Sequence, residues 1–162
     1  MLKYQFLAII IMAMLVVPGR AEVVERIIAV VNDKVITMSD LEDEMAIRGQ
    51  FGGTVNKSEI LEYMIEREID SAEASRLGIS ITMDDVTKEI VRFEDTFPSR
   101  SEFNMFLEKY DMSIKDLSRN FASSIAVEKV RQQKEGTSSG RYNKWLTEAK
   151  KKADIKILKG AE

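Results

Sequence analysis

The chain has 162 residues, no cysteine, no histidine and a formal charge of −3. Those two absences rule out Ser-His and Cys-His pairs, imidazole metal ligands, thiol chemistry and disulfides, and they remove the usual general base for neutral pH. The mild negative balance gives no global pull toward nucleic acid or anionic lipid, so binding is a better expectation than catalysis.

Residues 1–21 read as a secretory leader. Lys3 supplies the positive start, Phe6 to Val17 is an unbroken apolar run, and Pro18-Gly19-Arg20-Ala21 follows, with small residues at the −3 and −1 positions. The run is shorter than the ~20 apolar residues of a membrane span. Cleavage is expected between Ala21 and Glu22, and an uncleaved N-terminal anchor is the alternative. Without Lys3 and Arg20 the mature chain is two positive charges poorer. Its length suits one domain with a core of its own.

Val23 to Val31 alternates loosely and is rich in β-branched residues. Val24, Arg26, Ile28 and Val30 fall on one side; Val23, Glu25, Ile27, Ala29 and Val31 fall on the other. Asn32-Asp33 predicts a tight turn into a short return strand, Lys34 to Thr37. Ser39-Asp40-Leu41-Glu42 predicts a capping box for a first short helix marked by Leu41, Met45 and Arg48, with a flexible loop from Gln50 to Asn56. Asn56 with Glu59 caps the next helix. Its stripe is Ile60, Leu61, Met64, Ile65, Ile69, Ala72 and Leu77, and Gly78 stops it.

Thr82 predicts the start of a helix carrying Val86, Ile90, Phe93 and Phe97, ended by Pro98. Ser99 with Glu102 starts a short helix with Phe103, Phe106, Leu107 and Tyr110. Ser113 with Asp116 caps a long one with Ile114, Leu117, Phe121, Ile125 and Val130 facing inward. Gly136 to Gly140 is a Gly/Ser linker. Tyr142, Trp145, Leu146, Ala149 and Ala153 then mark a last helix, and Asp154 to Lys159 reads as an edge strand with Lys156 and Lys159 outside. A lone strand at each end of a helical chain leaves backbone groups unpaired on both, so the two are expected to pair with each other. The fold class is mainly α, with a small β element formed by the N-terminal hairpin and the C-terminal strand. The expected organisation is a leader at 1–21, a helical region at 22–135, a linker at 136–140 and a terminal helix and strand at 141–162 that complete the same domain.

Carboxylates cluster at Asp40, Glu42, Asp43 and Glu44, and at Asp84, Asp85 and Glu89. Hard-cation binding is one reading, but both clusters fall in predicted first helical turns, where negative charge complements the helix dipole, and no metal or cofactor is expected. Gly136 to Gly140 lacks the Lys-Ser or Lys-Thr of a phosphate loop. Lys150-Lys151-Lys152 suits a solvated last turn better than an anion site, and Trp145 suits a core position better than a stacking platform.

Val24-Glu25-Arg26-Ile27-Ile28-Ala29-Val30-Val31-Asn32-Asp33-Lys34-Val35-Ile36-Thr37, followed by Ser39-Asp40-Leu41, resembles the opening of the SurA-type periplasmic chaperones. Leu61-Glu62-Tyr63-Met64-Ile65-Glu66-Arg67-Glu68-Ile69 with Ala72, Ala74 and Leu77-Gly78-Ile79 is similar to that family's next block. Trp145-Leu146, Ala149 and Lys152-Ala153-Asp154-Ile155-Lys156-Ile157 resembles its C-terminal helix and strand. The resemblance implies a helical chaperone core, closed by the C-terminal segment, that escorts unfolded outer-membrane proteins across the periplasm without ATP. Such proteins usually carry parvulin prolyl-isomerase domains between the long helix and the terminal one. Here only the linker lies between Gln133 and Arg141, and the histidines and cysteine of a parvulin site have no counterpart, so no enzyme is expected.

A chaperone of this kind must expose apolar surface, and methionine adapts to many partners. Met45, Phe97, Phe103, Met105, Phe106 and Tyr110 are therefore the candidate client-binding residues, most of them in the region of short helices around Pro98. The expected partners are unfolded polypeptides, outer-membrane precursors among them, with no nucleic acid and no stable membrane insertion once the leader is gone. Two other readings stay open: an interaction protein that binds a dedicated partner or dimerises by exchanging its terminal segment across the linker, and a degenerate prolyl isomerase.

Overall fold

The computed structural model describes residues 25–53, 55–136 and 140–158; the leader and its cleavage residues Ala21 and Glu22 lie outside them. Strands β1 (Ile27–Val31) and β2 (Lys34–Thr37) form an antiparallel hairpin, turned by Asn32 in the left-handed region at φ 56°. Strand β3 (Ile155–Ile157) lies antiparallel on the other side of β1, giving the order β2-β1-β3. The Asn32 amide donates to the Asp154 carbonyl at 2.7 Å and the Leu158 amide donates to the Ile28 carbonyl at 2.8 Å. The pairing of the two end strands, expected on backbone economy, is present.

A bulge between Ile27 and Ala29 breaks the simple alternation. It brings Ile28 into the core beside Ala29 and Val31 and leaves Ile27 exposed, which two-residue periodicity cannot express. Val23 and Val24 lie outside the described residues.

Helix α1 (Met38–Gln50) starts straight from β2. Its cap is Thr37, not Ser39: the Thr37 hydroxyl accepts from the Asp40 amide at 3.2 Å, and the Asp40 carboxylate accepts from the Thr37 amide at 2.9 Å. Thr37 is in extended geometry with an acidic residue three positions on, so it satisfies the capping rule two residues earlier than Ser39. Gln50 also belongs to this helix rather than to the loop.

Helix α2 (Lys57–Arg76) begins at Asn56, whose side chain accepts from the Glu59 amide, and passes into Gly78 at φ 67°. Of its predicted stripe, Ala72 is exposed and Leu77 only half-buried. Helix α3 (Met83–Glu94), capped by Thr82 and Asp85, stops before Phe97, because the Thr96 hydroxyl takes the Phe93 carbonyl at 2.7 Å ahead of Pro98. Helix α4 (Arg100–Lys109) is capped by Ser99. Helix α5 (Ile114–Glu135) is capped by Ser113 and Asp116, with Ile114 exposed rather than inward. Helix α6 (Arg141–Lys152) follows Gly140 without a side-chain cap. The fold is mainly α with one small antiparallel sheet. Among the described residues no helix is long and apolar enough to cross a membrane.

Two apolar clusters sit side by side. One lies under the sheet, where Ile28, Val31 and Ile36 meet Ile60, Met64 and Ile65 of α2, Val130 of α5, and Tyr142 and Leu146 of α6. The other joins Ala46 and Ile47 of α1 to Val86, Phe93, Phe103, Leu117 and Phe121. Helices α1 and α5 contribute to both, so they fix one cluster against the other. Asp70, fully buried on α2, accepts the Tyr142 hydroxyl and holds α6 to the body.

Candidate functional site

Phe93 is 0 % exposed and is the hub of an aromatic block. The rings of Phe51 and Phe97 lie 5.3 Å from it, Phe106 at 5.5 Å, Phe121 at 5.7 Å and Phe103 at 6.2 Å, mostly edge to face. This is the arrangement that the ring quadrupole favours, and it pins the short helix α4 against α3 and the end of α1. Gln50 adds a polar tie, its side-chain amide donating to the Thr96 carbonyl at 3.2 Å.

Between α1 and α4 the packing leaves a cavity of about 540 Å³, open to the surface. Met45, Ala46 and Gly49 form one wall, Phe106 and Tyr110 the other, and Val55 of the α1–α2 loop closes one end. Glu42, Lys57 and Lys109 stand among the lining residues, and the Lys109 ammonium lies 4.8 Å from the Tyr110 ring centroid. Phe51, Val55 and Met105 are 50 %, 51 % and 63 % exposed, an unusual amount of apolar surface for so small a region.

The structure brings together three of the six predicted contact residues: Met45, Phe106 and Tyr110 share the groove. Met105 is exposed on α4 but does not line it. Phe97 is half-buried against Phe103 and Phe106. Phe103, only 1 % exposed, is part of the floor that holds the others and cannot reach a client. Helical spacing cannot separate Phe103 from Phe106, because which of them meets α3 depends on how α4 is docked. Sequence reasoning missed Phe51, Ala46, Gly49 and Val55; an aromatic and a valine inside a glycine-rich loop were the available signal.

Helix α1, one wall of the groove, is held by a buried carboxylate. Glu44 accepts from Arg67 at 2.5 Å, Arg48 at 2.6 Å and Asn120 at 2.7 Å. Burial pushes its carboxyl up, but the two guanidiniums and the amide outweigh that and hold it below the usual carboxylate range. Of the two acidic clusters only Asp40, Asp84 and Asp85 fall in first helical turns, Asp40 and Asp85 as caps; Glu42, Asp43, Glu44 and Glu89 lie beyond them, because α1 starts at Met38 and α3 at Met83. Lys150, expected in a solvated last turn, instead reaches Glu62 and Glu66 of α2. Trp145 packs half-buried on the first cluster, with the Lys134 ammonium 4.7 Å from its ring centroid.

The family model of the SurA-like N-terminal domain matches residues 2–131. The chain belongs to this family. A curated relative, the Chaperone SurA of Alkalilimnicola ehrlichii, is 28 % identical over 127 residues, covering 71 % of this chain and 29 % of that protein. The SurA-like domain described here therefore spans less than a third of that relative's length. The hairpin, α1 and most of α5 lie within the matched residues, and so does every residue that lines the groove.

Proposed function

We propose that this SurA-like protein is an ATP-independent periplasmic holdase that shields apolar stretches of unfolded polypeptides, outer-membrane precursors included, in the groove between α1 and α4. The observation that carries this reading is the groove itself: Met45, Phe106 and Tyr110 line it, and Phe51, Val55 and Met105 expose apolar surface around it. Covering a client's aromatic and aliphatic side chains there removes the surface through which clients associate with one another. Affinity is modest, because ordering an unfolded client offsets much of the gain, and modest affinity suits transfer onward without ATP. Neither histidine nor cysteine is available for catalysis, and no cofactor is invoked. Periplasmic location rests on the leader-like residues 1–21 and on the family. Residues 22–135 and 141–162 act as one domain.

The test is light scattering of an unfolded outer-membrane protein diluted from urea, with and without this protein. Suppressed aggregation that Met45→Glu abolishes, at unchanged thermal stability, is the expected result. Aggregation undiminished at excess protein would sink the reading. Sizing chromatography of the same samples reads out dimers formed by exchange of α6 and β3 across the linker.

A further inference from the structure

A second recess, of about 330 Å³, lies on the other side of α1, between β2, α2 and α5. Two features of it point the same way. The first is backbone. The amide of Asn32 and the carbonyl of Ile28 bond β3, so the even-numbered residues of β1 face that strand. The odd ones, Ala29 and Val31, therefore bond their register partners Ile36 and Lys34. Val35, between those two, turns its N–H and C=O away from β1, and it lines the recess while half exposed. This is an open strand edge, short but available for one more strand.

The second feature is charge. Asp43 and Glu68 line the recess without a hydrogen bond or salt bridge among the described residues. Arg67 donates to Glu44 at 2.5 Å and Arg119 to Asp116, also in the lining, at 2.9 Å, while Lys34 acts on Glu68 only through space. Burial, then Asp116 and Asp40, push the Asp43 carboxyl up to about 7, and burial pushes that of Glu68 above the usual range. Arg67, 6 % exposed, also keeps an Nε without an acceptor. Asp43 and Glu68 therefore have no cation in hydrogen-bond contact, although Lys34, Arg67 and Arg119 also line the recess, and Arg67 Nε has no acceptor.

We propose that the β2 edge and this recess together receive an extended polypeptide segment, paired with Val35 as a fourth strand and placing a lysine or arginine between Asp43 and Glu68. Antiparallel to β2, the residue opposite Val35 shares its hydrogen bonds, and the next residue along points to the face of Lys34 and Ile36, into the recess. The site is separate from the groove, for the two share no lining residue, and Asp43 and Met45 point to different sides of α1.

The probe is a fluorescein-labelled Thr-Val-Lys-Val-Thr peptide with blocked ends, its binding to the purified protein followed by anisotropy. Saturable binding is expected, about tenfold weaker for the peptide with Glu in place of Lys and for the Asp43→Asn protein, as losing one charge-assisted contact implies. The peptide N-methylated at both valines should not bind, and Met45→Glu should leave binding unchanged even where it abolishes holdase activity. In hydrogen exchange, the Val35 amide should be unprotected in the free protein and protected by the peptide. Equal binding of the Lys and Glu peptides, binding that survives N-methylation, or no saturable binding overturns the proposal. So does a Val35 amide already protected in the free protein, which would place another segment of this chain on the edge.

Discussion

The Tyr142 hydroxyl donates to the Asp70 carboxylate at 2.7 Å, 72 residues away in the chain and in the buried layer between α2 and α6. The other Asp70 oxygen has no partner among the described side chains. Tyr142→Phe would leave both oxygens bare in a dry setting. It should cost ~1–3 kcal/mol in urea unfolding, the penalty for an orphaned buried polar group. A loss below a few tenths of a kilocalorie would mean that water reaches Asp70.

The same carboxyl makes stability depend on pH. Burial pushes it from 3.8 up to about 6, with the Tyr142 bond only partly opposing. Between those values the folded protein holds a proton that the unfolded chain has released. Its contribution is thus fully present below 3.8 and is lost as pH rises through about 6. Wild type should lose stability relative to Asp70→Asn as pH rises through that window, and the difference should stay flat above it. A pH-independent difference would reject the assignment.

Glu44 is the only carboxylate partner of the buried Arg67 among the described residues. Glu44→Ala leaves a guanidinium in a low-dielectric layer without its anion, and should destabilise by ~3–5 kcal/mol in chemical unfolding. Since α1 is a wall of the groove, client protection should fall with it. Wild-type stability in this variant would show that Arg67 finds water or another acceptor.

Phe103 and Met105 are two residues apart and should behave oppositely. Phe103→Ala removes a ring from the aromatic block and should cost ~3–5 kcal/mol. Met105→Ala changes an exposed side chain and should stay within about 0.5 kcal/mol. Paired urea curves check this, and similar losses in both would contradict the docking of α4.

Ending the chain at Ala153 removes β3 and with it the bonds from Asn32 to Asp154 and from Leu158 to Ile28. A few hydrogen bonds and the exposed flank of β1 amount to about 3 kcal/mol, or roughly 10 °C in melting temperature for a chain of this size. An unchanged melting curve would mean that the sheet edge is dispensable.

The helix starts were legible because they are local. Asn56 with Glu59, Thr82 with Asp85, Ser99 with Glu102 and Ser113 with Asp116 each close a hydrogen bond three residues along, and Thr37 was missed only because Ser39 offered a competing match. The pairing of the end strands was also readable, since unpaired backbone in two isolated strands has few other outlets. The groove was half legible. Met45, Phe106 and Tyr110 carried a usable signal of type, but the orientation of α4 decided that Phe103 turned inward.

By itself the amino-acid order determined the helices, their caps, the hairpin and the absence of imidazole and thiol chemistry, all consequences of side-chain type and short-range hydrogen bonding. Only the tertiary structure decided that Glu44 sits between Arg67 and Asn120, that Asp70 meets Tyr142, and that α1 separates an apolar groove from a carboxylate-lined recess. Those contacts join residues from 23 to 76 positions apart. Their energies arise from burial and low dielectric, which exist only after the helices have packed.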